Sequence, residues 1–217
     1  MQENKSHKLS PHRIENLFLL NGILVLLGWN VILVALDYFQ YVLKDFNVYL
    51  YFPIPYFVAC ALVPLAFNWL SKNFKYKMLV LVGIIAMTIF EAIMFCTAIF
   101  FSSNQLLAFI ICMILSFCVG ISSYTIQLSF SGMMNYFGGV AVSRFMIGTA
   151  VGACILIVVR MIIVGVMGSD DSAKLPIIIY ICITVLFNGF CFYINSSFFT
   201  FHTKLMLCKL YFRKEDR

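Results

Sequence analysis

Six long apolar runs separated by short polar links pattern the chain: 17–40, 49–70, 78–101, 105–131, 145–167 and 175–199. Each reaches the roughly 20 residues that a helix rising about 1.5 Å per residue needs to cross a hydrocarbon core. The pattern predicts an all-α membrane protein of six transmembrane helices, with a polar tail over 1–16 and a basic tail over 200–217. The expected links are Asp37–Val48, Ser71–Lys77, Ser102–Asn104, Gly132–Ser143 and Gly168–Lys174. In the second span Pro53 and Pro55 fall in the first turns, where proline is tolerated, but Pro64 is internal and should kink the helix.

The informative positions are the polar ones that interrupt these runs. In the first span Trp29 and Asn30 stand side by side at mid-span. Tryptophan usually sits at the membrane–water interface, and an amide facing hydrocarbon is costly. On a 3.6-residue helix Leu26, Asn30, Leu33 and Asp37 share one face, with Trp29 at its edge. That face either lines a polar cavity or bonds a neighbouring helix. In the fourth span Ser116, Gly120, Ser123, Gln127 and Ser131 recur at steps of three and four and form one stripe. The Ser and Gly positions fit tight helix packing, while the Gln127 amide is either a bridge to another helix or a ligand group. The fifth span carries Gly148-x-x-x-Gly152, a spacing that lets two backbones approach closely.

Two charges lie deep in spans, Glu91 in the third and Arg160 in the fifth. Counted from Lys77 and Arg144 at the same end of the bundle, their depths differ by only about 3 Å at 1.5 Å per residue. They are expected to pair, either as a static ion pair or as a gate or proton site.

Composition agrees with the membrane reading: 63% of the 217 residues are hydrophobic and 11% charged, with a mean hydropathy of +0.98. Soluble domains run near 45–50% and about 25%. The net charge of +6 does not point to nucleic acid, because it follows topology. Twelve of the fifteen Lys and Arg lie in the two tails, in the second link and, as Arg144, just after the fourth link; only Lys44 and Lys174 lie on the other side, and Arg160 is in the membrane. The positive-inside rule therefore predicts that both termini are cytosolic. The first sixteen residues are polar and the run after them is span-length, so no cleavable signal peptide is expected.

Little enzymatic chemistry is legible. The eight cysteines include no CxxC pair and read as small packing residues, and His7, His12 and His202 all lie outside the spans, so no metal or other cofactor is expected. Gly120-Ile121-Ser122-Ser123 is similar to the motif of an intramembrane serine protease, but that chemistry needs a histidine base and no span holds one. There is no HExxH, no pair of intramembrane aspartates and no Walker loop, so the chain is not expected to be an enzyme.

The chain resembles the N-terminal half of the equilibrative nucleoside transporters. The resemblance rests on Leu27-Gly28-Trp29-Asn30 with Ala35 and Tyr38-Phe39, on Tyr124-Thr125-Ile126-Gln127-Leu128-Ser129, and on the run from Met146 through Gly148 and Gly152 to Ala153, with Val159-Arg160-Met161 after it. Gly28 replaces the family's proline before Trp-Asn, and Leu128 stands where a glycine is usual. The resemblance implies a bundle similar to the N-terminal half of a major-facilitator transporter, working by facilitated diffusion. It implies Trp29, Asn30, Leu33 and Gln127 at a cavity for a nucleoside or nucleobase, with Trp29 stacking on the base and Gln127 bonding it. It also implies a second half, from a continued chain, a second copy or another membrane subunit, because one bundle cannot alternate alone. The rival expectation is a half-transporter that has lost transport and serves as a structural subunit of a larger membrane complex. Glu91 does not belong to the family pattern, and proton linkage would follow only if it titrates.

Overall fold

A computed structural model describes residues 11–100, 104–137, 139–167 and 174–215. The described chain is helical: α1 Pro11–Val42, α2 Val48–Tyr51, α3 Pro53–Asn73, α4 Tyr76–Phe100, α5 Gln105–Phe137, α6 Gly139–Met167 and α7 Lys174–Glu215. Among the described residues six stretches are long and apolar enough to cross a membrane: Glu15–Val42, Val48–Asn73, Tyr76–Thr97, Gln105–Met134, Gly139–Ile162 and Ile181–Thr200. The protein is an all-α, multi-pass membrane protein.

Several boundaries differ from the sequence expectation. α1 begins at Pro11, a first-turn position where the missing N–H costs nothing. The second span is α2 and α3 in line. Phe52 between them is itself helical (φ −64°, ψ −35°) and donates to the Val48 carbonyl at 3.1 Å, while Pro53 and Pro55 remove donors at the junction. Pro64 lies inside α3, where it removes the bond to the carbonyl four residues back. The expected link 132–143 is almost wholly helical, with α5 running to Phe137 and α6 starting at Gly139. α7 runs on through most of the expected basic tail to Glu215. Residues 1–10, most of the expected turn 102–104, the Asp170–Asp171 link and the last two residues lie outside the described residues.

Helices α3, α5, α1 and α6 form a front row, with α4 packed on α5 and α7 closing the back against α1 and α4. The closest seam joins α1 and α6, which run parallel. Their starts are tied by Arg144 to Glu15 at 3.1 Å. A Cβ on Gly148 would run into the Leu19 carbonyl, and one on Gly152 would come within 3.0 Å of the Ile23 Cα. Gly22 is the reciprocal gap on α1, since a Cβ there would meet the Phe145 carbonyl and the Gly148 Cα. The small residues at 148 and 152 thus exist for α1, and close backbone approach replaces the hydrophobic force that two helices lack in lipid. The core around α1 is filled by Phe18, Phe39, Phe52, Phe95 and Phe130, all fully buried.

Candidate functional site

On α1 the positions Leu24, Val25, Leu27, Gly28, Val31, Ile32, Ala35 and Leu36 are buried by the bundle or nearly so. Leu26, Trp29, Asn30 and Leu33 are only half-buried, and Asp37 is exposed. The bundle therefore leaves open the α1 face that helical spacing singles out. Trp29 is held against α3, with its ring centroid 4.6 Å from that of Tyr56 and 4.8 Å from that of Phe57. Tyr56 is fixed in turn: its hydroxyl donates to Ser123 Oγ at 3.2 Å, and Ser123 Oγ donates to the Val25 carbonyl at 2.6 Å. Beside Trp29, the Asn30 Nδ2 is buried and has no partner. A buried amide donor without a bond costs about 1–3 kcal/mol, so a turn of the amide that brings this nitrogen out to an acceptor at the face is favoured.

The face ends in a charged clasp. The Arg160 guanidinium of α6 bonds one Asp37 oxygen, and the Tyr49 hydroxyl of α2 bonds the other. A turn further on, the Gln40 amide accepts from the Val48 N–H and donates to the Phe46 carbonyl, both at 3.0 Å, and so fixes the link between α1 and α2. The expected Glu91–Arg160 pair is not formed. Arg160 is held at Asp37, whereas Glu91 meets α1 at Gly28, nine residues earlier and roughly 13 Å away at about 1.5 Å per residue, and is turned into the core. Asp37, expected to open a link, lies within α1 more than a turn before its end and is the partner Arg160 takes.

Glu91 is almost wholly buried, 3% exposed. Its Oε2 accepts from Asn188 Nδ2 of α7 at 3.3 Å, and its Oε1 has no partner. The α1 backbone makes room for it at Gly28, where a Cβ would stand 3.1 Å from Oε1.

Gln127 is not brought to Asn30. α5 runs antiparallel to α1, with Ser123 opposite Val25 and the Phe130 ring 6.0 Å from that of Phe18. Gln127 is therefore level with the Phe18–Val25 stretch, some 10 Å or more from Asn30 along the bundle at about 1.5 Å per residue. Its half-buried side chain belongs to a different layer. The rest of its stripe is packing: Ser116 Oγ donates to the Phe52 carbonyl at 3.1 Å, Gly120 lies against Tyr56 and Ala59, and Ser131 bonds back to the Gln127 carbonyl.

A further polar stripe, on α7, was not singled out from the sequence. Thr184, Asn188, Cys191, Asn195 and Phe199 are buried at steps of four, three, four and four. Asn195 and Asn21 of α1 exchange amide bonds, at 2.7 Å and 3.2 Å. The spacing is as regular as that of the fourth span, and two asparagines in an apolar run are the available signal. Elsewhere, a groove of about 410 Å³ between α3, α4 and α5 is lined by apolar residues such as Leu70, Met78, Val82 and Phe90 and lies away from the α1 face. Among the described residues no three His, Cys, Asp or Glu side chains come together as a metal site. No protein-family model, curated protein or solved structure matches the chain.

Proposed function

We propose that this bundle is one half of a nucleoside or nucleobase transporter and that the open face of α1 is its share of the substrate cavity. The observation that carries the reading is the coincidence of two half-buried residues on the open α1 face, Trp29 and Asn30, the latter with its Nδ2 tucked inward and unpartnered. A planar base needs an aromatic surface and a hydrogen-bonding edge, and these two residues offer both. Trp29 stacks on the base, braced by Tyr56 and Phe57. The Asn30 amide turns outward and donates to a ring or exocyclic acceptor, and Leu33 continues the wall. Gln127, one layer away, serves a second position along the path rather than the same base edge. The opposite wall comes from a second half, and rocking of the halves about the site gives alternating access.

Nucleoside binding to the purified protein, and uptake into liposomes, test this. Trp29→Ala is expected to weaken binding by about 1–3 kcal/mol through lost stacking. Asn30→Leu and Gln127→Ala should each lose about 0.5–1.5 kcal/mol, one neutral hydrogen bond. If all three variants fold normally and handle nucleoside as wild type does, the cavity is elsewhere.

A second reading is a structural subunit without transport. It is favoured by one observation: Ser116, Gly120 and Ser123 are consumed by helix packing, and Gln127 does not converge on Asn30. Wild-type protein that neither binds nor carries nucleoside in any assembly state would establish it.

A further inference from the structure

We propose that Glu91 and Asn188 form a buried proton-binding site between α4 and α7, with the proton carried on the Glu91 carboxyl. The site has two orphaned acceptors in one place. Glu91 Oε1 and Asn188 Oδ1 are both buried without a hydrogen bond, although Asn188 Nδ2 already reaches Glu91 Oε2. What the pair lacks is a donor. A proton supplies it.

Neither a basic partner nor a metal ion fits these surroundings. No described Lys or Arg pairs with Glu91, because Arg160 is taken by Asp37 and Arg144 by Glu15. α1 presents Gly28 to the carboxyl, and Met87 of α4 and Val119 of α5 meet at the same point. Thr88, beside Glu91's own turn, donates to the Ile84 carbonyl, and Tyr56 of α3, the buried titratable neighbour, spends its hydroxyl on Ser123. A hard metal cation wants about six oxygens around it; glycine, methionine sulfur and valine do not provide them. An unpaired carboxylate in such a place is costly, and a neutral carboxyl is far less so.

Asn188 gives the site two settings. In the observed setting Nδ2 donates to Oε2, an arrangement that also serves the ionised carboxylate. Turned over by a half rotation, the same amide presents Oδ1 and accepts the carboxyl proton. The proton comes from water at whichever face of the bundle opens, and it returns there when α7 withdraws from α4. In the transporter reading proposed above, on which this last step rests, the proton is the coupling ion.

Infrared spectroscopy of the full chain in lipid nanodiscs at neutral pH tests the site without any substrate. A carbonyl stretch of a protonated carboxyl is expected, shifted by deuterium exchange, lost in Glu91→Gln and moved in Asn188→Leu. Glu91→Gln should keep wild-type thermal stability, since the amide is isosteric with the neutral acid; Glu91→Asp, which retains a displaced band, identifies the site if the Gln variant folds poorly. If no band is lost in Glu91→Gln, or if one appears only when sodium is withdrawn, the proton assignment is overturned. In liposomes, an inside-alkaline gradient should speed wild-type nucleoside uptake several-fold and leave Glu91→Gln uptake unchanged. Wild-type uptake indifferent to the gradient overturns the coupling. Absence of all nucleoside uptake sinks the transporter reading instead, and the infrared band still decides the site.

Discussion

The Glu91 carboxyl rests against the bare Cα of Gly28. A Cβ on Gly28 would stand 3.1 Å from Glu91 Oε1, 2.9 Å from Met87 Sδ and 3.2 Å from a Val119 methyl carbon. The residue before Trp29-Asn30 is therefore small because side chains of two other helices, one of them a carboxyl, converge on it. This links the open face of α1 to the polar core behind it through a single backbone position.

Larger side chains at Gly28 should expose that link. Gly28→Val is expected to destabilise the bundle by about 1–3 kcal/mol through overpacking. Glu91→Ala in the same chain should recover part of the loss, because it removes one of the crowded atoms. Thermal unfolding in detergent of the two single variants and the double variant measures this; strictly additive effects would show that the two residues do not share the space.

Arg160 and Asp37 should behave as a coupled pair and Arg160 and Glu91 should not. The cycle Asp37→Asn, Arg160→Gln and both together is expected to show a coupling of at least about 0.5 kcal/mol. The corresponding cycle with Glu91→Gln should be additive to within about 0.3–0.5 kcal/mol. The reverse ranking, read from unfolding midpoints, would restore the pairing expected from depth.

The α1–α6 seam is expected to reject a methyl group. At Gly148 the added Cβ meets the Leu19 backbone carbonyl, which cannot rotate away as a side chain could. Gly148→Ala should cost about 1–3 kcal/mol, at the upper end of overpacking effects. Gly165→Ala, where nothing lies within 4 Å of the added carbon, should be neutral. Equal midpoints for the two variants would mean that α1 and α6 are not in backbone contact.

The reciprocal amide pair of Asn21 and Asn195 should show the asymmetry of buried polar partners. Asn195→Leu leaves the Asn21 carbonyl oxygen without its donor, a loss of about 1–3 kcal/mol. Changing both to Leu should be less harmful than the sum of the single changes. The folded yield and melting point of the three variants decide it.

The charge bias predicts an orientation with both termini cytosolic. After blocking of native thiols, cysteine introduced at Asp45 should be labelled from outside intact cells, and cysteine introduced at Lys75 should be labelled only after permeabilisation. The opposite pattern would invert the bundle.

The six spans were determined by the sequence alone, and the reason is local. In hydrocarbon each backbone N–H and C=O must bond within its own helix, so length and apolarity decide where the helices are without reference to neighbours. That Leu26, Asn30, Leu33 and Asp37 share one side of α1 was legible for a similar reason, since that spacing repeats on any helix; that the bundle leaves this side open was not. The fine ends were not legible, because whether residues 132–137 and 200–215 continue a helix depends on interfacial and packing terms that composition does not carry.

Partner choice was decided only by the tertiary structure. Counting residues from a membrane face gives a nominal depth, and that depth made Glu91 and Arg160 look paired; it fixes neither the register between helices nor direction around the bundle axis. Gly22, Gly148 and Gly152 lock α6 to the front of α1 and so turn Arg160 toward Asp37. α7 packs at the back and brings Asn188 to Glu91 and Asn195 to Asn21. The same geometry separates Gln127 from Asn30, because antiparallel helices bring residues to one layer only where their registers cross. Helical period fixes which residues share a face of one helix, but close packing between helices fixes which faces meet.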